Sequence, residues 1–247
     1  MLRTILAALG ILLAAPAAFA QQTDPNLTGA AAQANLNTLT TGAPTMVPRG
    51  TSDGTKGSPY ADSRWRMAQI TLSNHLPLAQ VPLKYDVLGQ RLLMHKAAPS
   101  RDSLQLDDRL VQQFVLLNPS TSGLAARPQV FRRFAEAPVA TDRTSYVEVL
   151  HQGSYTLLKR HRRILKAANY QGAYSTNSHY DEIEDHSDYF LSAAGAPAQP
   201  VKLGLRPLQQ AAPALAEALK AAAAAQHPRT DADWGLVLDL ADPAAAK

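Results

Sequence analysis

The stretch Tyr146-Val-Glu-Val-Leu-His-Gln-Gly-Ser-Tyr-Thr-Leu-Leu-Lys159 decides the fold class. Tyr146 to Leu150 is rich in aromatic and β-branched residues, Gln152-Gly153-Ser154 is a tight-turn signal, and Tyr155 to Leu158 resumes the apolar run. This is a β-hairpin, and the chain upstream has the same texture. Met67 to Ser73 places Ile70 and Leu72 on one face, alternating with Gln69, Thr71 and Ser73. Val81-Pro-Leu-Lys-Tyr-Asp-Val87 repeats that alternation, with Pro82 marking an edge or a strand start. Leu88-Gly89-Gln90 then turns the chain into Arg91 to His95. Further short strands are expected at Ser103–Leu106, Gln113–Leu117 and Gln129–Phe134. Longer ones at Thr156–Lys166 and Tyr180–Ser192 flank a polar loop around Tyr170 to Ser178, and a turn at Gly195 precedes Val201 to Leu203.

After Arg206 the period changes. Leu208, Leu215 and Leu219 share one side of an Ala-rich segment, so helix is expected from about 207 to 226, with its regular part starting at Pro213. Asp231-Ala-Asp233 caps a last short element containing Trp234, Leu236 and Leu240. Strands followed by helices define a mainly β (β-rich α+β) class: an antiparallel sheet, or a partly closed barrel or sandwich, with a C-terminal helix.

Composition sets the boundaries. The 247 residues contain no cysteine, which excludes disulfides, thiolate metal sites and a lipidated N-terminal cysteine. Residues 1–20 have the layout of a signal peptide: Arg3 in front, an apolar run to Ala15, and Ala18-Phe19-Ala20 as a small-x-small cleavage site. Residues 21–56 are read as a flexible low-complexity leader, 57–240 as one β-rich domain, and 241–247 as a tail. The mature chain is expected outside the cytoplasm, in the periplasm or at the cell surface. A formal charge of +4 is too small to indicate a nucleic-acid binder.

Gly57-Ser-Pro-Tyr60, Val81-Pro-Leu-Lys-Tyr-Asp86, Tyr146-Val-Glu-Val-Leu150 with Leu157-Leu-Lys-Arg160, and Asp188-Tyr-Phe-Leu191 occur in that order before the helical segment. In this the chain resembles an uncharacterised group of secreted β-rich proteins of Bacteroidota. The resemblance implies a β-rich exported domain over about Gly57 to Leu240, and brings no activity and no site residues.

Two charged runs stand out. On a strand, Lys159, His161 and Arg163 face one way, and Arg160 and Arg162 the other. The acidic run Asp181-Glu-Ile-Glu-Asp185 with Asp188 lies on the next strand, so the two are expected to pair as a cross-strand charge zipper. His179, Asp181, Asp185 and His186 look like metal ligands, but alternation turns His186 away from the others, and no metal or cofactor is expected. Neither a nucleophile elbow, a phosphate-binding glycine loop nor a His-Glu-x-x-His pattern is present. The reading is a non-enzymatic interaction or structural protein of the envelope, its partner an envelope protein or a glycan. Its binding surface is placed at Arg160, Arg162, Tyr170, Tyr174 and His179. The alternatives are a small-ligand carrier in a β-barrel and an envelope hydrolase without a recognisable motif.

Overall fold

The computed structural model describes Leu36, Leu39 and residues 54–76, 78–95, 103–117, 127–167 and 180–245. Eleven strands form one sheet: β1 (Thr55–Lys56), β2 (Arg66–Leu72), β3 (Val81–Asp86), β4 (Arg91–His95), β5 (Ser103–Gln105), β6 (Val111–Leu116), β7 (Gln129–Arg133), β8 (Tyr146–Gln152), β9 (Tyr155–Lys166), β10 (Asp181–Ala193) and β11 (Gln199–Val201). Their order is β1-β10-β9-β8-β7-β6-β2-β3-β4-β5, with β11 also pairing β10. Only the β1–β10 contact is parallel. The fold is therefore mainly β as the alternation indicates, and the sheet stays open.

Period-2 alternation sends one set of side chains to a common inner face. Ala68, Ile70, Leu72, Val81, Leu83, Tyr85, Phe114, Leu116, Phe131 and Tyr146 are all buried in one cluster there. The sheet must curl to achieve this. Tyr85 on β3 and Tyr146 on β8 are four strand spacings apart, about 19 Å along a flat sheet, yet their ring centroids lie 5.6 Å apart. Phe114 and Phe131 stack at 4.8 Å within the same cluster. These aromatic rings fill the curl, so the interior is a packed core and not the apolar void that a barrel carrier needs. Leu36 and Leu39, inside the low-complexity stretch, also belong to this core, and the Asp107 N–H donates to the Leu39 carbonyl at 3.2 Å.

A second cluster lies further along the same face, where helices α1 (Leu205–Ala211), α2 (Ala216–Gln226) and α3 (Asp231–Ala241) cover Leu150, Leu157 and Leu191. The expected helix is broken where Pro213 opens a short 3-10 turn between α1 and α2. Thr230, not Asp231, caps α3. Its hydroxyl accepts from the Asp233 N–H, and the Asp233 carboxylate accepts from the Thr230 N–H, a capping box. Gly235 lets α3 approach β8 closely: a Cβ there would lie 2.5 Å from the Leu150 carbonyl oxygen. A smaller cluster of Phe134, Ala137, Val147, Leu158, Phe190 and Ala198 covers the opposite face of β8–β10. Among the described residues no helix is long and apolar enough to cross a membrane.

Candidate functional site: a polar cleft beneath a strap

Residues 57–65 run as a strap from the β10 edge to the backbone of β3. Gly57 starts it with φ 93°, and a Cβ there would lie 2.4 Å from the Ile183 carbonyl oxygen, so this junction needs glycine. At the far end Tyr60 bridges Asp86, the Ala61 N–H donates to the Tyr85 carbonyl (3.0 Å), and the Val87 N–H donates to the Pro59 carbonyl (2.9 Å). On the opposite face of β3 from Leu83 and Tyr85, Lys84 clamps the strap's end, its Nζ 4.7 and 4.8 Å from the Tyr60 and Trp65 ring centroids. In the middle, Arg163 of β9 donates from Nε to the Ser58 carbonyl (3.1 Å) and from Nη2 to the Tyr60 carbonyl (2.9 Å). Thus Gly57-Ser-Pro-Tyr60, Lys84 and Arg163 are parts of one device.

Between strap and sheet opens a cleft of about 540 Å³ whose walls include Arg64, Arg66, Arg163, Asp62 and Gln129. Arg66 is buried; its Nη1 donates to Asp62 (2.8 Å), and its Nε and Nη2 donate to the Leu117 carbonyl. Arg64 holds Asp62 through Nε and Nη2, at 3.1 and 2.9 Å, and its side chain is 69% exposed. Burial pushes the Asp62 carboxyl up, but the bonds from Arg64 and Arg66 outweigh it and hold it at about 2. Three guanidinium groups thus line the cleft against two carboxylates, Asp62 in its wall and Asp185, which pairs Arg163 from β10. This wall attracts anions.

Behind Gln129 the inner face turns polar between the two apolar clusters. Gln129 Nε2 donates to Glu148 Oε1 (3.0 Å), and Glu148 Oε2 meets His161 Nε2 at 2.8 Å. Glu148 and His161 are 7% and 8% exposed, and the His161 ring tilts over Phe131 at 5.7 Å. Lys159, opposite Glu148 in the ladder, reaches Asp231 of α3 at 2.5 Å. Burial lowers the Lys159 pKa, but Asp231 and Glu148 reverse this and leave it raised. The strip is fully paired, which makes it a rigid floor.

A second polar knot ties α3 to the β8–β9 turn. His151 is fully buried; Nδ1 meets Asp239 Oδ1 at 2.6 Å and Nε2 meets Asp242 Oδ2 at 3.3 Å. Asp242 also accepts from the Ser154 hydroxyl (2.9 Å) and the Tyr155 N–H (3.1 Å). Burial raises the Asp242 pKa, yet these bonds, with those from Ala244 and His151, hold it at about 2. The serine hydroxyl is turned to the carboxylate and not to the imidazole, so this is no nucleophile–base–orienter array.

The charge zipper forms as the spacing indicates: Arg163 opposes Asp185 and Arg160 opposes Asp188 in register, and Lys166 pairs diagonally with Glu184. Arg160 and Arg162 both approach Asp188, at 2.9 and 3.4 Å, and Arg160 also holds Asp142 and lies over the Phe190 ring. They lie on the face opposite the cleft. Tyr170, Tyr174 and His179 fall outside the described residues, as does the expected signal segment. Among the described residues no group of three or more His, Asp or Glu side chains is placed to hold a metal ion.

Composition and alternation pass over the strap, because its partners lie 103 and 105 residues away at Arg163. Glu148 did leave a signal, being a lone charge inside an apolar strand. Comparison with protein-family models, with curated proteins and with solved structures returns no match.

Proposed function

We propose that this is an exported, non-enzymatic binding protein of the envelope, and that the cleft beneath the strap receives a small molecule or glycan unit bearing an anionic group. The observation that carries this reading is the surplus of guanidinium over carboxylate in a cleft whose walls are already tied down. Binding there costs little reordering of the Asp62, Arg66, Arg163 and Gln129 side chains, which favours recognition. The signal-like layout of residues 1–20 and the resemblance to secreted β-rich proteins of Bacteroidota support the export part.

Calorimetric titration with glucuronate, citrate and inorganic phosphate tests it. Saturable, salt-weakened binding is expected for at least one probe, with Kd at or below about 1 mM. Arg64→Ala is expected to weaken it about tenfold by removing the most exposed guanidinium while leaving Arg66 to hold Asp62. No heat with any of the three probes at low salt, or equal affinity in Arg64→Ala, refutes the assignment.

A further inference from the structure

We propose a second recognition site: the outer edge of β10 between β1 and β11, which accepts an extended basic peptide segment as an added strand. On its inner side β10 pairs β9 along its whole length, from Glu182 to Ala193. On its outer side β1 covers Asp181 and Glu182, and β11 covers Tyr189 to Leu191. Among the described residues no strand pairs the outer side between them.

Two observations fix which backbone groups face outward. The Ile183 carbonyl points to the β1 side, since it is the atom a Cβ on Gly57 would strike. Pro200, which has no N–H, stands opposite Phe190, so Phe190 is a pair that does not exchange bonds with β11, and its neighbours Tyr189 and Leu191 do. Both give odd-numbered residues of β10 an outward backbone. Asp185 and Ser187 therefore present two N–H and two C=O groups to the open edge. Only another strand offers matching groups at that spacing.

Side chains set the preferred sequence. The strand carries Glu182, Glu184, Asp185 and Asp188; β9 supplies a basic partner to the last three, and Glu184 also meets His186 of β10 itself. The Asp185 side chain is still 69% exposed after pairing with Arg163. An incoming strand stands on the other side of the same carboxylates, so a basic residue beside Asp185 completes the pattern. At the β11 end lies a cavity of about 490 Å³ whose walls combine Ser187 and the apolar Tyr189, Pro200, Val201 and Leu203 with the charged Asp188 and Lys202 at its rim. It accepts a bulky apolar side chain two positions from the basic one. The occupant is thus an extended segment with an apolar-x-basic pattern.

The test is fluorescence anisotropy with the full mature chain and a labelled, capped heptapeptide, Thr-Leu-Thr-Lys-Thr-Leu-Thr, which reads alike in both strand directions. Saturable binding is expected. Methylating alternate backbone nitrogens so that one edge loses its N–H groups should weaken it about tenfold or more, and exchanging Lys for Asp should do likewise. Ser187→Pro removes an outward N–H without touching the β9 ladder, so it should fold with an unchanged urea midpoint and lose the peptide. Asp185→Lys should reverse the preference between the Lys and Asp peptides. Equal binding of the methylated peptide, or full binding by Ser187→Pro, overturns the slot. If the proline ring itself prevents folding, the methylated peptide on the unchanged chain decides: undiminished binding overturns the slot, and a tenfold loss supports it. A dimer in sedimentation that excess peptide cannot dissociate assigns the edge to a second copy of this chain instead.

Discussion

Replacing Arg163 with Met removes the guanidinium that holds the strap and keeps the aliphatic stem that covers the sheet. Two hydrogen bonds to strap carbonyls vanish, at 3.1 and 2.9 Å. A charged donor makes each worth about 1.5–3 kcal/mol when the acceptor is left dry. Here the carbonyls border an open cleft and regain water, so about 2 kcal/mol for the pair is the working figure. Loss of the partner costs Asp185 little, because its carboxylate is 69% exposed. At about 1.4 kcal/mol per decade, strap opening becomes roughly thirtyfold more populated. The reporters are the amides of Ala61 and Val87, which join the strap to β3. Hydrogen exchange at those two positions should quicken by about that factor, while the amides of Leu158 and Phe190 in the β9–β10 ladder change less than about threefold. Unchanged exchange at Ala61 and Val87 refutes the reasoning, since β3 alone would then hold the strap. A uniform increase across the ladder refutes it too, because Arg163 would be a determinant of global stability.

Three further outcomes are expected. Asp242→Ala takes the partner from Nε2 of buried His151 and the acceptor from the Tyr155 N–H, and should cost about 3 kcal/mol in urea unfolding at neutral pH. With its folded pKa at about 2 against an ordinary 3.8, the Asp242 contribution is complete above about pH 4 and disappears as pH falls through 2, so the gap between wild type and Asp242→Ala should close over that acid window. Gly235→Ala drives a methyl into the Leu150 carbonyl oxygen, and about 2 kcal/mol of destabilisation should appear as a lower melting temperature; a neutral result would mean that α3 can shift away from β8. Phe114→Ala empties the centre of the aromatic cluster and should cost about 3–5 kcal/mol by denaturant titration, whereas a loss under about 1 kcal/mol would contradict the packed interior.

Much of the sheet was legible because its signals are local. The turn at Gln152-Gly153-Ser154 and the run through Leu157 and Leu158 need only neighbours to be read, and the zipper followed from two charged runs separated by one loop. The helical segment was legible for the same reason, and Pro213 marks its break. The cleft was not legible. Arg163 reads as one more member of a basic run, yet it differs from Arg160 and Arg162 by facing the strap. The break in edge pairing along β10 is equally silent in the sequence, since it depends on where β1 and β11 happen to end.

The sequence by itself determined the mainly β class, the absence of disulfide and thiolate chemistry, and the facing of each strand, because alternation and turn chemistry act within a few residues. Tertiary structure alone decided the order of the strands, the curl that brings Tyr85 onto Tyr146, and the strap that makes a cleft from Arg64, Arg66 and Arg163. Each of these depends on contacts between segments far apart in the chain. The energy of such contacts exists only once the sheet has brought their partners together, so no local pattern records them.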